Sequence, residues 1–242
     1  MSALLSSELL KLRTTRTAFG FLVATVLLTL GVGAATFATL DVTSEQDLKD
    51  ALAGAGFVAA LLLVLGIVAS TGEYRHGTIT SSLLVSPDRP RFLASKILAY
   101  FLTGALLGLV AMLVSFAVGV PWLSARDAPL ELLETSDYVL LAIEGVALAA
   151  LCGALGVAVG TLIRNQIAAV VGTLVYLFIL DPVLSLVSED VAKFTPGGAI
   201  SGLGGNAPDY VLDPLPAGLV LVGWTLLFGM AALLVDRRRD VF

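Results

Sequence analysis

The sequence has 242 residues, 57% of them hydrophobic and only 14% charged, with a formal net charge of −5. Soluble globular domains carry about 25% charged residues, so this composition argues against a soluble protein. Apolar runs of about 20 residues recur along the chain, and each is long enough to cross the hydrocarbon core as a helix. Isolated strands cannot span lipid, because their backbone groups would remain unpaired. The sequence therefore predicts an all-α membrane protein, with residues 1–242 forming a single transmembrane domain.

Six spans are predicted, and a short basic segment precedes them. In that segment Leu5, Leu9 and Leu12 fall on one helical face, a pattern typical of a helix lying in the membrane interface. Residues 41–50 are acidic and are expected to form a loop, and Pro121 is expected to end the third span. The predicted spans cover approximately residues 18–40, 51–70, 97–120, 139–163, 167–180 and 217–235.

The fifth apolar run is interrupted by Asp181 and Pro182. Proline removes a backbone donor and disfavours helical geometry at the residue before it, so the fifth span is expected to end at Leu180. Residues 183–187 are apolar but too few to cross the membrane, and residues 188–216 are rich in glycine and proline.

Lysine and arginine are unevenly distributed between the two sides of the predicted bundle. The N-terminus, residues 71–96, residues 164–166 and the C-terminus carry 11 of the 14 basic residues, and the other three are Lys49, Arg126 and Lys193. Because basic residues stay on the cytoplasmic side, both termini are predicted to be cytoplasmic. Twelve acidic residues fall on the outer side, where they either solvate that face or attract cationic substrates. The first interpretation is favoured, because the basic bias by itself leaves acids outside.

Residues 72–96 form the only long polar, basic stretch between two strongly apolar runs. A charged side chain costs about 2.5–3.5 kcal/mol at the bilayer centre, so this stretch must lie in water or on the membrane surface. Residues 78–85 are predicted to form a short helix with Ile79 and Leu83 on one face. Such a helix is too short to be stable alone. It either docks in a groove of a partner protein or rests, as a basic loop, on anionic lipid.

The next helix is expected to begin directly after this short helix. Asp88 is predicted to cap it, and its first turn tolerates Pro90. This start would place Arg89, Arg91 and Lys96 at the cytoplasmic interface.

The sequence lacks several motifs of catalytic and nucleotide-binding sites. None of the four lysines follows a glycine, so there is no phosphate-binding loop, and no Gly-x-Ser-x-Gly elbow occurs. The single cysteine, Cys152, leaves no internal disulfide, and the single histidine, His76, lies in the 72–96 segment. Glu144 and Asp181 are the only candidate ionisable groups for ion coupling, and both lie toward the outer ends of their spans. We expect no catalytic activity and no metal or cofactor bound by this chain.

Two stretches are similar to motifs of a known family. The 72–96 segment contains Glu73-Tyr74-Arg75-x-Gly77-Thr78-Ile79, then Leu83-Leu84, Pro87, Arg89, Arg91 and Lys96. This pattern resembles the signature of ABC type-2 exporter permeases. The opening Ser7-Glu8-Leu9-Leu10-Lys11-Leu12-Arg13 resembles their N-terminal connecting helix, and the six-span arrangement matches over the whole chain. The resemblance is closest to small bacterial permeases encoded beside a separate ATPase.

This resemblance implies a partner, a location and a mechanism. In that family the loop after the second span contains a coupling helix that docks on a nucleotide-binding subunit, which binds ATP and Mg²⁺. Two permeases pair in the bacterial plasma membrane, as a homo- or heterodimer, with the second and fifth spans near the translocation path. The segment after the fifth span forms a re-entrant hairpin, which Asp181-Pro182 would suit. The implied coupling residues are Glu73, Tyr74, Arg75, Gly77, Thr78, Ile79, Leu83, Leu84, Arg89 and Arg91.

Small residues and a few other side chains in the spans allow more than one interpretation. One side of the fourth span is lined by Gly145, Ala149, Gly153, Gly156 and Gly160. Small faces let helices approach closely in lipid, so packing within one subunit is favoured over a ligand groove. Glu144 either reaches water, accepts a bond from a neighbouring helix or contacts substrate. The candidate substrate pathway consists of Phe57, Leu61, Val64, Leu174, Phe178 and Glu144.

These observations predict the permease subunit of an ATP-driven exporter for a hydrophobic or amphipathic substrate, such as a drug, a peptide or a lipid. No nucleic-acid partner is expected. Two alternatives remain: an ion-coupled carrier, and a non-transporting membrane anchor or sensor that binds a cytoplasmic partner through the same basic segment.

Overall fold

The computed structural model of this chain describes residues 2–14, 16–53, 55–75, 77, 88–205 and 211–238. Within these ranges the regular structure is helical, with one 3-10 turn at Leu130–Leu132 and one π-helical segment at Tyr176–Leu180. The α-helices are α1 (Ser2–Thr14), α2 (Arg16–Thr39), α3 (Glu45–Ala53), α4 (Ala55–Arg75), α5 (Arg89–Ser124), α6 (Thr135–Ile163), α7 (Gln166–Val175), α8 (Asp181–Val187), α9 (Glu189–Ala192), α10 (Pro196–Leu203) and α11 (Pro214–Arg238).

Six helical stretches of the described chain are long and apolar enough to cross a membrane, which confirms the predicted number of spans. The fourth stretch, α6, lies at the centre of the bundle and packs against α4, α5 and α11. The six stretches are Thr17–Thr39, Glu45–Arg75, Arg89–Ser124, Thr135–Ile163, Gln166–Val187 and Pro214–Val235.

The two ends of the bundle differ in charge. We call the end that carries α1, the last turn of α4 and the first turns of α5 the basic end. The opposite end carries α3, the 3-10 turn, α9 and α10, and we call it the acidic end.

Glycines allow α6 to approach its neighbours closely. A Cβ on Gly156 would overlap the carbonyl of Leu63 in α4, and a Cβ on Gly104 of α5 would overlap the carbonyl of Ala149. Close backbone approach of this kind is available only where the side chain is a hydrogen atom. The prediction that the small face of the fourth span packs within one subunit is therefore confirmed.

The N-terminal segment forms a helix, but the face that it buries differs from the predicted one. Leu5 and Leu12 pack into the core formed by α2, α4 and α5, as expected. Leu9 is exposed, however, and Glu8 is buried in its place. A glutamate at such a position needs cationic partners to offset the loss of water. Those partners lie in the site described below.

Residues 41–50 do not form a simple loop, because α3 begins among them. The Asp47 carboxylate accepts the Ser44 N–H at 2.8 Å, and the Ser44 hydroxyl accepts the Asp47 N–H at 3.1 Å. This reciprocal pair is a capping box that starts a helix. Leu48 and Leu52 are then fully buried in the acidic end of the bundle. The prediction of a loop overlooked this start signal.

The third span does not end at Pro121. The helix α5 has 36 residues and includes Pro121 in its last turn, where the missing N–H removes a single backbone bond. The Pro121 carbonyl still accepts the Ala125 N–H at 3.0 Å. At about 1.5 Å per residue this helix is roughly 54 Å long, well beyond the ~30 Å hydrocarbon core. Part of α5 therefore extends past the apolar layer.

The fifth helix does not end before Asp181 either. It continues from α7 through the π-helical segment into α8, so the predicted end at Leu180 is wrong. In a regular α-helix the ring of Pro182 would clash with the carbonyl of Phe178. In the π turn the Asp181 N–H donates a hydrogen bond to the Tyr176 carbonyl. This wider turn relieves the clash. Asp181 and Pro182 are therefore continuous with the fifth helix.

The chain after the fifth helix forms two short helices at the acidic end. In α10, Ala199 and Leu203 are buried in a cluster that includes residues of α4, α6 and α11. The Trp224 indole N–H of α11 donates to the Phe194 carbonyl at 2.9 Å, which holds the turn between α9 and α10. The segment therefore folds back against the bundle, and its description as a re-entrant hairpin stays a prediction.

Candidate coupling site

Four charged side chains from three helices meet at the basic end. Glu8 and Lys11 come from α1, Glu73 from the last turn of α4, and Lys96 from the early part of α5. Lys11 Nζ lies 2.6 Å from a Glu8 oxygen and 2.9 Å from a Glu73 oxygen. Lys96 Nζ lies 2.8 Å from Glu73 and 3.8 Å from Glu8. Each ammonium group thus faces both carboxylates, and we call these four residues the charge ring.

The charge ring is largely shielded from water. The side chains of Lys96 and Glu8 are 3% and 4% exposed, that of Glu73 is 11% exposed, and only Lys11, at 48%, has substantial contact with solvent. An unpaired charge in such a place costs several kcal/mol, but here two positive and two negative charges balance. Because Glu73 and Lys96 flank residues 74–95, the charge ring joins α1 to both ends of that segment.

Lys11 is the member of the charge ring that contacts water most. Partial burial by itself would lower the pKa of its ammonium group, but hydrogen bonds and charge attraction from Glu8 and Glu73 more than offset this. The pKa of Lys11 is therefore raised above its ordinary value. Lys11 stays protonated at physiological pH, so it remains a cation between the two carboxylates.

Aromatic side chains of α5 lie one turn before and one turn after Lys96. The ring centre of Phe92 is 5.5 Å from Lys96 Nζ, which is a cation–π geometry. Tyr100 is 7% exposed and belongs to the same core cluster as Leu12 of α1. These contacts keep the aliphatic stem of Lys96 inside the bundle while its ammonium group reaches the two carboxylates.

A second set of contacts joins the end of α4 to the connection between α6 and α7. Arg164 adopts the left-handed conformation, with φ of 60°, and so reverses the chain within two residues. Its guanidinium lies 5.3 Å from the centre of the Tyr74 ring. Arg75 donates to the Gln166 side chain at 3.3 Å. A displacement of the last turn of α4 would therefore also reach α6 and α7.

The start of α5 follows the prediction. The Asp88 carboxylate accepts the Arg91 N–H at 3.3 Å, and Pro90 lies in the first turn. Asp88 also pairs with the Arg91 guanidinium at 2.9 Å, and the Arg91 side chain is 72% exposed. Gly77 has φ of +67°, a conformation that suits glycine.

Lys96 differs from its predicted position. The sequence pattern places it with Arg89 and Arg91 at the cytoplasmic interface, but the structure buries its side chain. Arg91 is exposed and Arg89 is half-buried. Lys96 enters the bundle because Glu8 and Glu73 supply opposite charges there.

Part of the predicted coupling surface lies outside the described residues. This holds for the short helix at residues 78–85 and for its members Thr78, Ile79, Leu83 and Leu84. Their docking role stays a prediction.

The candidate pathway residues lie on α4, α6 and the fifth helix. Leu61 and Val64 of α4 and Leu174 of α7 are half-buried, and α7 packs against α4. Phe178 is exposed in the π-helical segment. Glu144 is half-buried on the separate helix α6. The side chain of Phe57 lies outside the described part of the chain.

The sequence interpretation named Glu73 but missed its partners Glu8, Lys11 and Lys96 as members of one site. A signal was present, because Glu8 and Glu73 are the only glutamates on the strongly basic side of the chain. Glu8 and Lys11 also have the i, i+3 spacing of a helical ion pair. The convergence of α1, α4 and α5 cannot be read from these spacings, since it depends on how the helices pack.

A comparison with protein families places this site in a known context. The family model described as "ABC-2 family transporter protein" matches residues 4–180, which include the charge ring and run to the end of the π-helical segment. No curated protein matches the chain. The family match covers well over half of the chain and agrees with the resemblance seen in residues 73–96. The chain therefore belongs to the ABC-2 family of transporter proteins and is a multi-pass membrane component of a transporter.

Proposed function

We propose that the chain is the permease subunit of an ATP-driven exporter, and that a separate ATPase subunit docks on residues 72–96. The observation that supports this best is the charge ring, because it connects both flanks of that segment to α1 by ionic contacts. A loop that only rested on lipid would not require Glu73 and Lys96, at its two ends, to be paired inside the bundle.

The charge ring suggests how force would enter the bundle. ATP-driven closure of the partner subunits would push on residues 76–88. Glu73 and Lys96 would carry that displacement into α4 and α5, and Glu8 and Lys11 would carry it into α1. Through Tyr74 and Arg164 the same displacement would reach α6 and α7. The bundle would then switch between inward-facing and outward-facing states.

In this proposal the chain does no chemistry of its own. ATP and Mg²⁺ bind in the partner subunit, and the permease acts as a homo- or heterodimer in a bacterial plasma membrane. Leu61 and Val64 of α4, with Leu174 and Phe178 of the fifth helix, would line an apolar route for a hydrophobic or amphipathic substrate. The packing of α7 against α4 supports this pairing of helices.

The docking of the ATPase is tested by charges placed on the predicted ridge. Ile79→Asp and Leu83→Asp should each abolish co-purification with the proposed ATPase subunit, because an unpaired charge buried in an interface costs several kcal/mol. Membrane levels should remain normal, since both residues lie outside the predicted spans. The isolated chain should hydrolyse no ATP. Retention of the ATPase by both variants, or robust hydrolysis by the chain alone, would refute the proposed subunit role.

The orientation is tested by labelling single cysteines in intact cells with an impermeant thiol reagent, after Cys152→Ala. Cysteines at Ser44 and Ser188, at the acidic end, should react, and one at Ser82 should not. The expectation rests on the distribution of lysine and arginine. Labelling of the Ser82 position from outside would reverse the assignment of the cytoplasmic side.

A further inference from the structure

The fifth helix contains a paired tyrosine and aspartate whose contact depends on the π turn. The Tyr176 hydroxyl donates to Asp181 Oδ1 at 3.2 Å, and both residues are half-buried. Side chains five residues apart point about 140° away from each other on a regular α-helix. In the π turn the backbone N–H of Asp181 donates to the carbonyl of Tyr176. This bond brings the side chains of the same two residues together.

The Asp181 carboxylate also lies against the first turn of α10. This helix begins at Pro196, and the hydroxyl of Thr195 caps it by accepting the Gly198 N–H at 3.0 Å. A Cβ added to Gly197 would overlap the carboxylate of Asp181. The first turn of a helix is the positive end of its dipole, where a carboxylate is stabilising. Asp181 is thus placed where its charge favours α10.

We propose that the Asp181 carboxylate anchors α10 to the fifth helix. The anchor holds one side of the turn between α9 and α10. The hydrogen bond from the Trp224 indole to the Phe194 carbonyl holds the other side. Between them, Ala199 and Leu203 of α10 are buried against α4, α6 and α11. The carboxylate therefore serves to keep α10 seated over the acidic end of the bundle, and it does not serve as a binding group for substrate or ion.

The same geometry makes α10 responsive to the shape of the fifth helix. If the π turn relaxed to a regular α-helix, Tyr176 would rotate away from Asp181, and the carboxylate would leave the first turn of α10. A change in the fifth helix would then release α10. The anchor itself does not depend on the proposed function. The further step, in which the release of α10 opens the outer side of the pathway, rests on that function.

Hydrogen exchange of the α10 backbone tests the anchor without any transport assay. In the purified full chain, Asp181→Ala should raise the exchange rate of the amides of residues 197–203 about tenfold, because the helix loses a charge at its positive end and a neighbour of its first turn. Tyr176→Phe should give a smaller rise in the same amides. The matched control is Asp190→Ala, which removes an exposed acid of the same segment that pairs with Lys193 at 2.7 Å and should leave α10 unchanged. Unchanged exchange in α5 verifies that each variant folds.

A double variant distinguishes loss of the anchor from a general disturbance of the turn between α9 and α10. Gly197→Ala should speed amide exchange in α10, because the added methyl group displaces the Asp181 carboxylate. In the double variant Asp181→Ala with Gly197→Ala, exchange in α10 should therefore be no faster than in Asp181→Ala alone. Additive effects would show that Gly197 acts through another contact and would overturn the anchor. Unchanged α10 exchange in Asp181→Ala would also overturn it, even if transport were lost, because Asp181 would then act on substrate or ion. If the wild type transports nothing but the exchange results hold, the proposed function fails and the anchor stands.

Discussion

Replacing Lys96 with methionine should destabilise the folded protein by about 3–5 kcal/mol, the usual cost of removing one partner from a buried ion pair. The aliphatic stem is retained, so the effect reports the loss of the ammonium group. The carboxylates of Glu8 and Glu73 would remain buried at 4% and 11% exposure, with Lys11 as their remaining partner in the charge ring. Denaturant unfolding of the purified chain in detergent measures the change.

Two further variants show whether the loss at Lys96 arises from burial and charge balance. Arg91→Met removes a cation five residues earlier on α5, but its pair with Asp88 is exposed, so the cost should be at most about 1 kcal/mol. Adding Glu8→Gln to Lys96→Met should recover much of the stability, because Lys11 and Glu73 then remain as a balanced pair. Equal losses in Lys96→Met and Arg91→Met would contradict a buried charge ring.

Replacing Gly156 with leucine should have a comparable or larger effect, at least about 3 kcal/mol, because the side chain would have to enter a space occupied by backbone. A Cβ at this position overlaps the Leu63 carbonyl of α4 and lies 3.1 Å from the Gly66 Cα. Neither group can move without separating α4 from α6. The expected result is loss of the monodisperse purified protein, measured by gel filtration in detergent, together with a lower unfolding temperature in any material recovered.

The same substitution at Gly172 provides a matched control. Gly172 lies on α7, and a Cβ there would meet no atom of another described element within 4 Å. Gly172→Leu should therefore change the free energy of unfolding by no more than about 0.5 kcal/mol. If both leucine variants behave alike, close contact between α4 and α6 does not determine the stability of the bundle.

Much of the fold could be predicted from the sequence, because length and apolarity alone identify a membrane-spanning helix. The six spans and the Asp88 cap followed from such local signals. The predicted breaks at Pro121 and Pro182 were wrong for one physical reason. A proline costs a helix one backbone bond and some space, and a last turn or a π turn can accommodate both.

The candidate site could be predicted only in part. The polar segment at residues 72–96 and the residue Glu73 are visible in the sequence, since charges cannot remain in lipid without partners. The family resemblance in residues 73–96 also depends on sequence alone. Neither observation indicates that Glu8 is buried, because its burial depends on two lysines, and one of these lies 88 positions away along the chain.

The sequence by itself determined the class of this protein, its number of spans and the position of its long basic segment, because each depends on the composition of a local stretch. Only the tertiary structure decided which charges pair and which backbone groups touch. Lys96 becomes part of a charge ring only when α1, α4 and α5 pack together, and Asp181 reaches α10 only because the chain folds back after the fifth helix. These contacts join residues far apart in sequence, so no local periodicity carries information about them.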